Sequence, residues 1–526
     1  MKSNPKVGKN ILTVLTIGMY RDPRMIYREY IQNSADQIDE LSLDEQNDGH
    51  RKVIDIHIDP DKRNIVIKDV ATGIPAALFE ERLLNVADSH KDPSKNKGFR
   101  GIGRLAGLSY CKKLIFEASA QGEKIVSRLE MDCEKLRAIL HDVKNRATAS
   151  EVISAISTVS QVKKTEPVYD CWFTVKLEGV DKSIGGDLLD VEKVKDFISQ
   201  IAPVPFSKVK FTLNKKIYAY AEEHGYKIEE YTVRVNGEVI TKPYKDDVRD
   251  KDGRVIEKLN DVVFFEIKHL GEVLAWAWSA PCTIGCQLVA SQNRERGLRL
   301  RKANIQIGFH DFLNEYFSEA RSNGYMIGEV HVLSKNILPN GDRNGLEVSP
   351  EASAFIKEFS GKYCKQLWAS TRLANTLTAA KDKISSAVNA AEELKKLKSQ
   401  KDVPTAIIKA KHETLEKAYK AAVDKISVLK KSKDRDTVSD NPFIRVVAAT
   451  STRDIEQKAK DLDVSIKNAD KPTKTEDQQQ KKSPKKSESD MLASKVISIL
   501  VEKGNLELAE ALKVWTLINA AIQKKN

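Results

Sequence analysis

Glu29, Asn33 and Asp36 stand four and then three residues apart in the segment ILTVLTIGMYRDPRMIYREYIQNSADQIDE, residues 11–40. The segment carries a long amphipathic helical pattern, and on a helix residues at those spacings share one face. A carboxylate, an amide and a second carboxylate therefore project together. Glu29 in that setting can act as a general base, and the Asn33 amide oxygen is a hard ligand suited to a magnesium ion. Ordinary surface helices carry the same residue types, so this segment by itself leaves both readings open.

Two further motifs bear on the choice. In IVIKDVATGIP, residues 65–75, Ile65, Val66 and Ile67 read as a buried strand ended by Asp69 and a turn through Gly73. Asp69 can accept a hydrogen bond from the exocyclic amine of a base, and Gly73 lets the backbone approach a flat ring. Turns use both residue types freely, so this motif is weak alone. In NKGFRGIGRLAGLS, residues 96–109, Gly98, Gly101 and Gly103 lead into a helical pattern. A glycine loop entering a helix offers backbone N–H groups and a positive dipole end to anions, and Lys97, Arg100 and Arg104 reinforce that sign. It is not a P-loop, because no Gly-Lys-Ser/Thr follows. Gly101-x-Gly103-x-x-Ala106 matches the loose dinucleotide fingerprint, but the polar run KDPSKNK precedes it where that fingerprint needs a strand. The three motifs in this order predict nucleotide binding.

The order REYIQNSAD, DVATG, GFRGIG resembles that of the GHKL ATPase superfamily, which includes gyrase, MutL-type repair ATPases, MORC proteins, histidine kinases and the ninety-kilodalton heat-shock chaperones. The chaperone branch looks closest, since Arg28 precedes Glu29 as an arginine precedes the catalytic glutamate there. The resemblance implies a Bergerat-type α/β sandwich that binds ATP and Mg2+. It implies that Glu29 polarises the attacking water, Asn33 holds the metal, and Asp36 supports the pocket wall. Asp69 would read adenine, Gly73 would shape that pocket, and the loop Gly98–Gly103, with Lys97, Arg100, Gly101 and Ile102, would close over the phosphates. One departure stands out. Where the family carries Gly-Thr before the last strand of this domain, DCWFTVKLEGV has Cys171-Trp172, which leaves Thr174 as the substitute hydroxyl.

With 526 residues the chain can form two or three domains with sizeable cores. It has no run of eighteen apolar residues and no signal-peptide core at its start, so a cytoplasmic protein without membrane spans is expected. Six scattered cysteines give no disulfide framework, and Cys282 and Cys286 lack the second pair that a zinc site needs. The net charge of +12 fits nucleic-acid contact or lysine-rich solvated helices, and charge alone does not choose between them.

We expect the nucleotide domain over residues 1–182, with a helical excursion at DCEKLRAILHDVKNRATASEVISAIS. A transducer-like α/β domain is expected over 183–360. Its elements are the helix VEKVKDFISQI, strands at KVKFTL, TVRVNGEV, DVVFFEIKH, EVLAWAWSA, GLRLRKANIQIG and GEVHVLS, and a helix at DFLNEYFSEARS. In the family this domain reaches back to the γ-phosphate with a cation. ILPNGDRNGLE, residues 337–347, resembles the segment that does so, and Arg343 is the matching residue. Asn340-Gly341-Asp342 is equally a hairpin turn, and Arg299 and Arg301 are the alternative cations. A helical hairpin or short coiled coil is expected over 361–432, broken at Pro404, with Ile408, Leu415, Tyr419, Ala422, Ile426 and Leu429 on its seam. A lysine-rich linker over 433–489 and a C-terminal helical docking module over 490–526 complete the chain.

These features predict a chaperone-like ATPase, an ATP-dependent homodimeric clamp acting on a protein partner. An ATP-gated DNA clamp of MORC or MutL type is the alternative, resting on the charge. A histidine-type kinase fits poorly, because no phosphoacceptor histidine helix precedes the first motif. PVPF at 203–206, GLRLRKANIQIG and IGEVHVLS also resemble stand-alone bacterial members of the chaperone-like branch, and a role in defence against phage is carried by that analogy alone.

Overall fold

The computed structural model describes residues 6–470, apart from 17, 21, 43–44, 46–50, 89–96, 99–100, 283–286, 401–402 and 438–439, together with isolated residues beyond 494. It forms two compact units, one essentially residues 1–364 and the other residues 365 onward.

The N-terminal amphipathic pattern becomes two helices, α1 (Asn10–Leu15) and α2 (Met25–Asp39). The break has a local cause: the Thr16 hydroxyl donates back to Leu12 O at 2.7 Å, and Gly18 and Pro23 follow. Helix α2 is buried on nearly every side, Arg28, Glu29, Gln32 and Asp36 included. It lies against a sheet whose strands are β1 (Val53–Asp59), β2 (Asn64–Asp69), β3 (Lys113–Ser119), β4 (Ile125–Asp132), β5 (Ser157–Lys163), β6 (Trp172–Glu178), β7 (Thr232–Val235) and β8 (Glu238–Val239), in the order β5-β4-β3-β6-β2-β1-β7-β8. Burial alternates along β1 and β2, as in a sheet packed on one face. Cross-strand ion pairs such as Lys113–Glu130 at 2.6 Å and Lys176–Glu117 at 2.7 Å join its neighbouring strands. This is the α/β sandwich expected. The helical excursion is α3 (Cys133–His141) and α4 (Ala149–Ile156), the latter opened by a Thr148/Glu151 capping box.

The sheet does not end at residue 182. Strand β7 pairs in parallel with β1, Ile54 opposite Val233 and Ile56 opposite Val235, so TVRVNGEV extends the first sheet rather than the second. Val233 and Val235 are fully buried, and a completed core face fixes that register. Helices α5 (Val191–Ile201) and α6 (Asn214–Glu223) lie between. KVKFTL forms a turn leading into α6 rather than a strand, with Phe211 buried among Phe206, Tyr244 and Trp278.

The second sheet has five strands, β9 (Val263–His269), β10 (Glu272–Ser279), β11 (Gly297–Lys302), β12 (Ile305–Ile307) and β13 (Ile327–Val332), in the order β9-β10-β13-β11-β12. DFLNEYFSEARS forms two short 3-10 turns, not an α-helix. At the centre of this domain Glu329 is fully buried. It pairs with Lys242 at 2.7 Å, His331 at 3.1 Å and Arg301, and accepts from the Tyr244 hydroxyl at 3.1 Å.

In the other unit, α7 (Cys364–Ser399) and α8 (Thr405–Thr437) flank Pro404, as expected. A third helix, α9 (Pro442–Asp470), occupies part of the stretch expected to be a solvated linker. Val447, Ile455 and Leu462 give it an apolar stripe, buried with Ala374, Leu377, Ile384, Ala387 and Ala422. The lysine-rich stretch 471–489 and most of the C-terminal module lie outside the described residues. No helix among the described residues is long and apolar enough to cross a membrane.

Candidate nucleotide site

Part of the set singled out in the sequence lines a cavity of about 370 Å³, within the size range of small-ligand pockets, whereas Asp36, Asp69, Gly73 and Lys97 are not among its lining residues. Glu29, Asn33, Gly98, Gly101, Ile102, Gly103 and Arg343 all line it. Arg100 lies outside the described residues.

Glu29 is 5 % exposed. Its Oε1 faces two guanidinium groups, Arg343 Nε at 3.3 Å and Arg28 Nε at 3.6 Å, yet accepts no hydrogen bond. Its Oε2 lies against Gly103, where a Cβ would come within 2.3 Å. Burial, and the Glu29 charge beside it, push the Tyr20 phenol well above its ordinary range. A buried carboxylate oxygen between two guanidinium groups, making no hydrogen bond, fits the chemistry of a general base.

Asn33 lies one turn on, with Oδ1 2.9 Å from where a Gly98 Cβ would be. A hard oxygen between the base and the glycine loop fits a magnesium ion bound beside phosphates. Asp36 has a different task. Its two oxygens accept the N–H groups of Lys97 at 2.7 Å and Gly98 at 3.0 Å, which pins the entrance of the glycine loop to α2.

Asp69 ends β2 and is 1 % exposed. Oδ1 accepts from Ala71 N–H at 3.3 Å, while Oδ2 has no partner. Burial raises its pKa to about 7, against the opposing influence of the Ser34 hydroxyl, the Ala71 amide and Lys68. A buried acceptor without a donor fits an exocyclic amine. Phe173 stands opposite Asp69 across β2 and β6, and with Phe116, Ile74 and Val175 it lines the apolar part of the cavity. Thr174, between Phe173 and Val175, belongs to the other face of the strand by alternation, so it does not replace the missing hydroxyl. The Cys171 thiol donates to Ala71 O at 2.8 Å. Gly73 has φ +66°, and a Cβ there would come within 2.3 Å of Ser119 O, so only glycine fits this turn.

Two basic residues expected to face phosphate are engaged elsewhere. Lys97 Nζ pairs with Asp39 and with Glu229 at 2.6 Å. Arg104 donates to Leu83 O at 3.1 Å and to Asn85 O, and burial lowers its pKa to about 10.

Arg343 comes from the turn that follows the second sheet, within the same compact unit as Glu29. The segment ILPNGDRNGLE forms a turn, and Arg343 is also placed in the cavity: Arg343 N–H donates to Asn340 O at 3.1 Å, the residue has φ +57°, and it is 7 % exposed while lining the cavity. Gly308 N–H donates to Arg343 O at 2.8 Å, and Arg28 donates to the carbonyls of Asp342 at 2.9 Å and Arg343 at 3.4 Å. The alternative cations do not line the cavity. Arg301 is paired with Glu329, and Arg299 donates to Gln200 Oε1 at 3.1 Å and Gln306 Oε1 at 3.2 Å. Sequence reasoning missed Tyr20 and the Phe116–Phe173 wall. The alternation of β3 and β6 carried a signal for the two phenylalanines; Tyr20 had none.

Residues 27–165 match the family model described as "Histidine kinase-, DNA gyrase B-, and HSP90-like ATPase". The domain in this part of the chain is of the GHKL ATPase type, and the protein is an ATPase. Among solved structures, the ATPase region of Saccharomyces cerevisiae topoisomerase II aligns over 66 % of this chain and 85 % of that chain, at 12 % identity and a TM-score of 0.36. No curated protein matches the chain.

Proposed function

We propose that the protein is a magnesium-dependent, ATP-driven clamp that acts on a protein partner, with Glu29 as base and Arg343 as the cation facing the γ-phosphate. One observation carries this reading: a buried carboxylate oxygen that makes no hydrogen bond and an arginine from the turn after the second sheet meet at 3.3 Å in the same cavity. Glu29 Oε1 orients a water and takes its proton as the water oxygen bonds to the γ-phosphorus and the bond to the ADP oxygen breaks. Arg343 turns from Glu29 to the phosphoryl oxygens, where its planar fork neutralises charge. Asn33 would hold the magnesium ion, which supplies charge neutralisation at the phosphates when bound. Asp69 and the Phe116–Phe173 wall take the base.

Because Arg343 follows the second sheet while Glu29 lies on a helix against the first, turnover depends on how these two layers of one compact unit stand together. That favours a conformational clamp, working as an ATP-dependent homodimer, over small-molecule chemistry. A DNA clamp rests on the +12 charge alone.

The test is ATP turnover and ADP binding by wild type, Glu29→Ala and Arg343→Ala, with and without duplex DNA. The expected result is retained binding and lost turnover in Glu29→Ala, slowed turnover in Arg343→Ala, and no effect of DNA. Absence of nucleotide binding by wild type would overturn the proposal. ATP-dependent, salt-sensitive DNA retention would replace the protein partner with DNA.

A further inference from the structure

A lysine at the entrance of a glycine loop invites the reading that its ammonium meets phosphate. Here the side chain of Lys97 is 2 % exposed and turned the other way. Its Nζ lies between Asp39, the last residue of α2, and Glu229, at 2.6 Å, in the connector ahead of β7. It also stands 5.3 Å from the centre of the Tyr231 ring, whose hydroxyl donates to the other Asp39 oxygen at 2.6 Å. Burial works against a charge there, but Glu229 and Asp39 outweigh it and hold the lysine protonated.

The backbone of Lys97 is fixed as firmly. Its N–H and that of Gly98 are both taken by Asp36, and its carbonyl accepts from Arg343 Nη2 at 2.7 Å. The Arg343 guanidinium is therefore held from two sides, by Glu29 at Nε and by the Lys97 carbonyl at Nη2. Glu229 is itself anchored: its carbonyl accepts from Asn304 Nδ2 at 2.7 Å, and Asn304 Oδ1 accepts from Lys242, the partner of Glu329. The backbone of Arg343 is tied to the end of the second sheet through Gly308, and its tip reaches that sheet by a second route, through Lys97, Glu229 and Asn304.

We propose that Lys97 is a positioning residue: its ammonium, locked between Asp39 and Glu229, fixes the carbonyl that aims the Arg343 guanidinium at Glu29. This rests on the reading of Arg343 as the cation of the reaction. Lys97 touches no phosphate. It makes the nucleotide site sensitive to Glu229, a residue outside the cavity.

The test uses the full chain with Lys97→Met, Lys97→Arg and Glu229→Gln, each alone and the first combined with Arg343→Ala. Turnover at saturating ATP, ADP affinity and the side-chain Nε resonance of Arg343 in arginine-labelled, nucleotide-free protein are measured. That resonance is assigned by its loss in Arg343→Lys. Lys97→Met is expected to slow turnover about 10- to 100-fold, the size of a small misplacement of a reacting group, with ADP affinity unchanged and the Nε resonance shifted. Lys97→Arg restores most of the rate, Glu229→Gln acts in the same direction as Lys97→Met, and adding Lys97→Met to Arg343→Ala costs nothing further. Parallel loss of ADP affinity would make Lys97 a phosphate ligand and overturn the proposal, as would multiplicative effects in the double variant. Should Lys97→Met not fold, Glu229→Gln carries the same comparison. If Arg343→Ala leaves turnover intact, the cation reading is what fails, and the Nε resonance still reports whether Lys97 holds the guanidinium.

Discussion

Arg343 Nε lies 3.3 Å from Glu29 Oε1, so this guanidinium and this carboxylate neutralise one another inside the cavity. An ion pair this buried is costly to strip of one partner and less costly to exchange for another. In the proposed reaction, phosphate oxygens would offer Arg343 that exchange and release Glu29 to face water.

Glu29→Ala removes the cavity carboxylate that faces Arg343. Turnover is expected to fall by about 100- to 10,000-fold, the usual contribution of a positioned general base. ADP affinity, measured by calorimetry, should change little.

Gly103→Ala tests the same carboxylate from the opposite side. The added methyl would come within 2.3 Å of Glu29 Oε2 and 3.2 Å of its Cδ, so the carboxylate must shift. A displacement of that size costs about 100-fold in rate. Steady-state turnover should drop while the melting curve keeps its cooperativity.

Asp69 gives a pH dependence with a definite sign. Burial raises its pKa from 3.8 to about 7, so the folded protein binds this proton more tightly than the unfolded chain. Its contribution to stability is complete below about pH 4 and is lost as pH rises toward 7. Urea midpoints at pH 5 and pH 8 should differ less in Asp69→Asn than in wild type. Glu295, also raised to about 7 by burial, leaves a residual slope in both proteins. Equal slopes in the two would contradict the assignment.

Glu329→Gln tests the charged centre of the second domain. The carboxyl works against its own burial, but Arg301, Lys242 and His331 hold it well below the usual carboxylate range. Removing its charge leaves buried Lys242 and Arg301 uncompensated, with an expected loss of about 3–5 kcal/mol. Urea unfolding monitored by the tryptophans, of which Trp276 and Trp278 are buried in this domain, reads that loss directly.

That the glutamate, the asparagine and the loop glycines line one cavity was legible in the sequence because it follows from local spacing. Four residues on a helix bring Glu29 and Asn33 to one cavity whatever the rest of the chain does. Lys97 misled for the complementary reason. Its type and place suggested phosphate, but Glu229, far along the chain, decided where its ammonium went. Thr174 failed on strand alternation, which puts Phe173 and Val175 on the cavity side. The helix at 442–470 was hidden by its lysines and aspartates, though Val447, Ile455 and Leu462 kept a helical period beneath them.

The parallel pairing of β7 with β1 has a practical corollary for modularity. A fragment cut at residue 182 would strip β1 of its neighbour and bare the N–H and C=O row of Val53–Ile56, an invitation to intermolecular strand addition. The shortest autonomous piece therefore extends past β8, and it carries α5, α6 and Glu229 with it. A strand from beyond residue 182 completes a sheet built from residues before it, so treating the two stretches as separate cassettes would break that sheet.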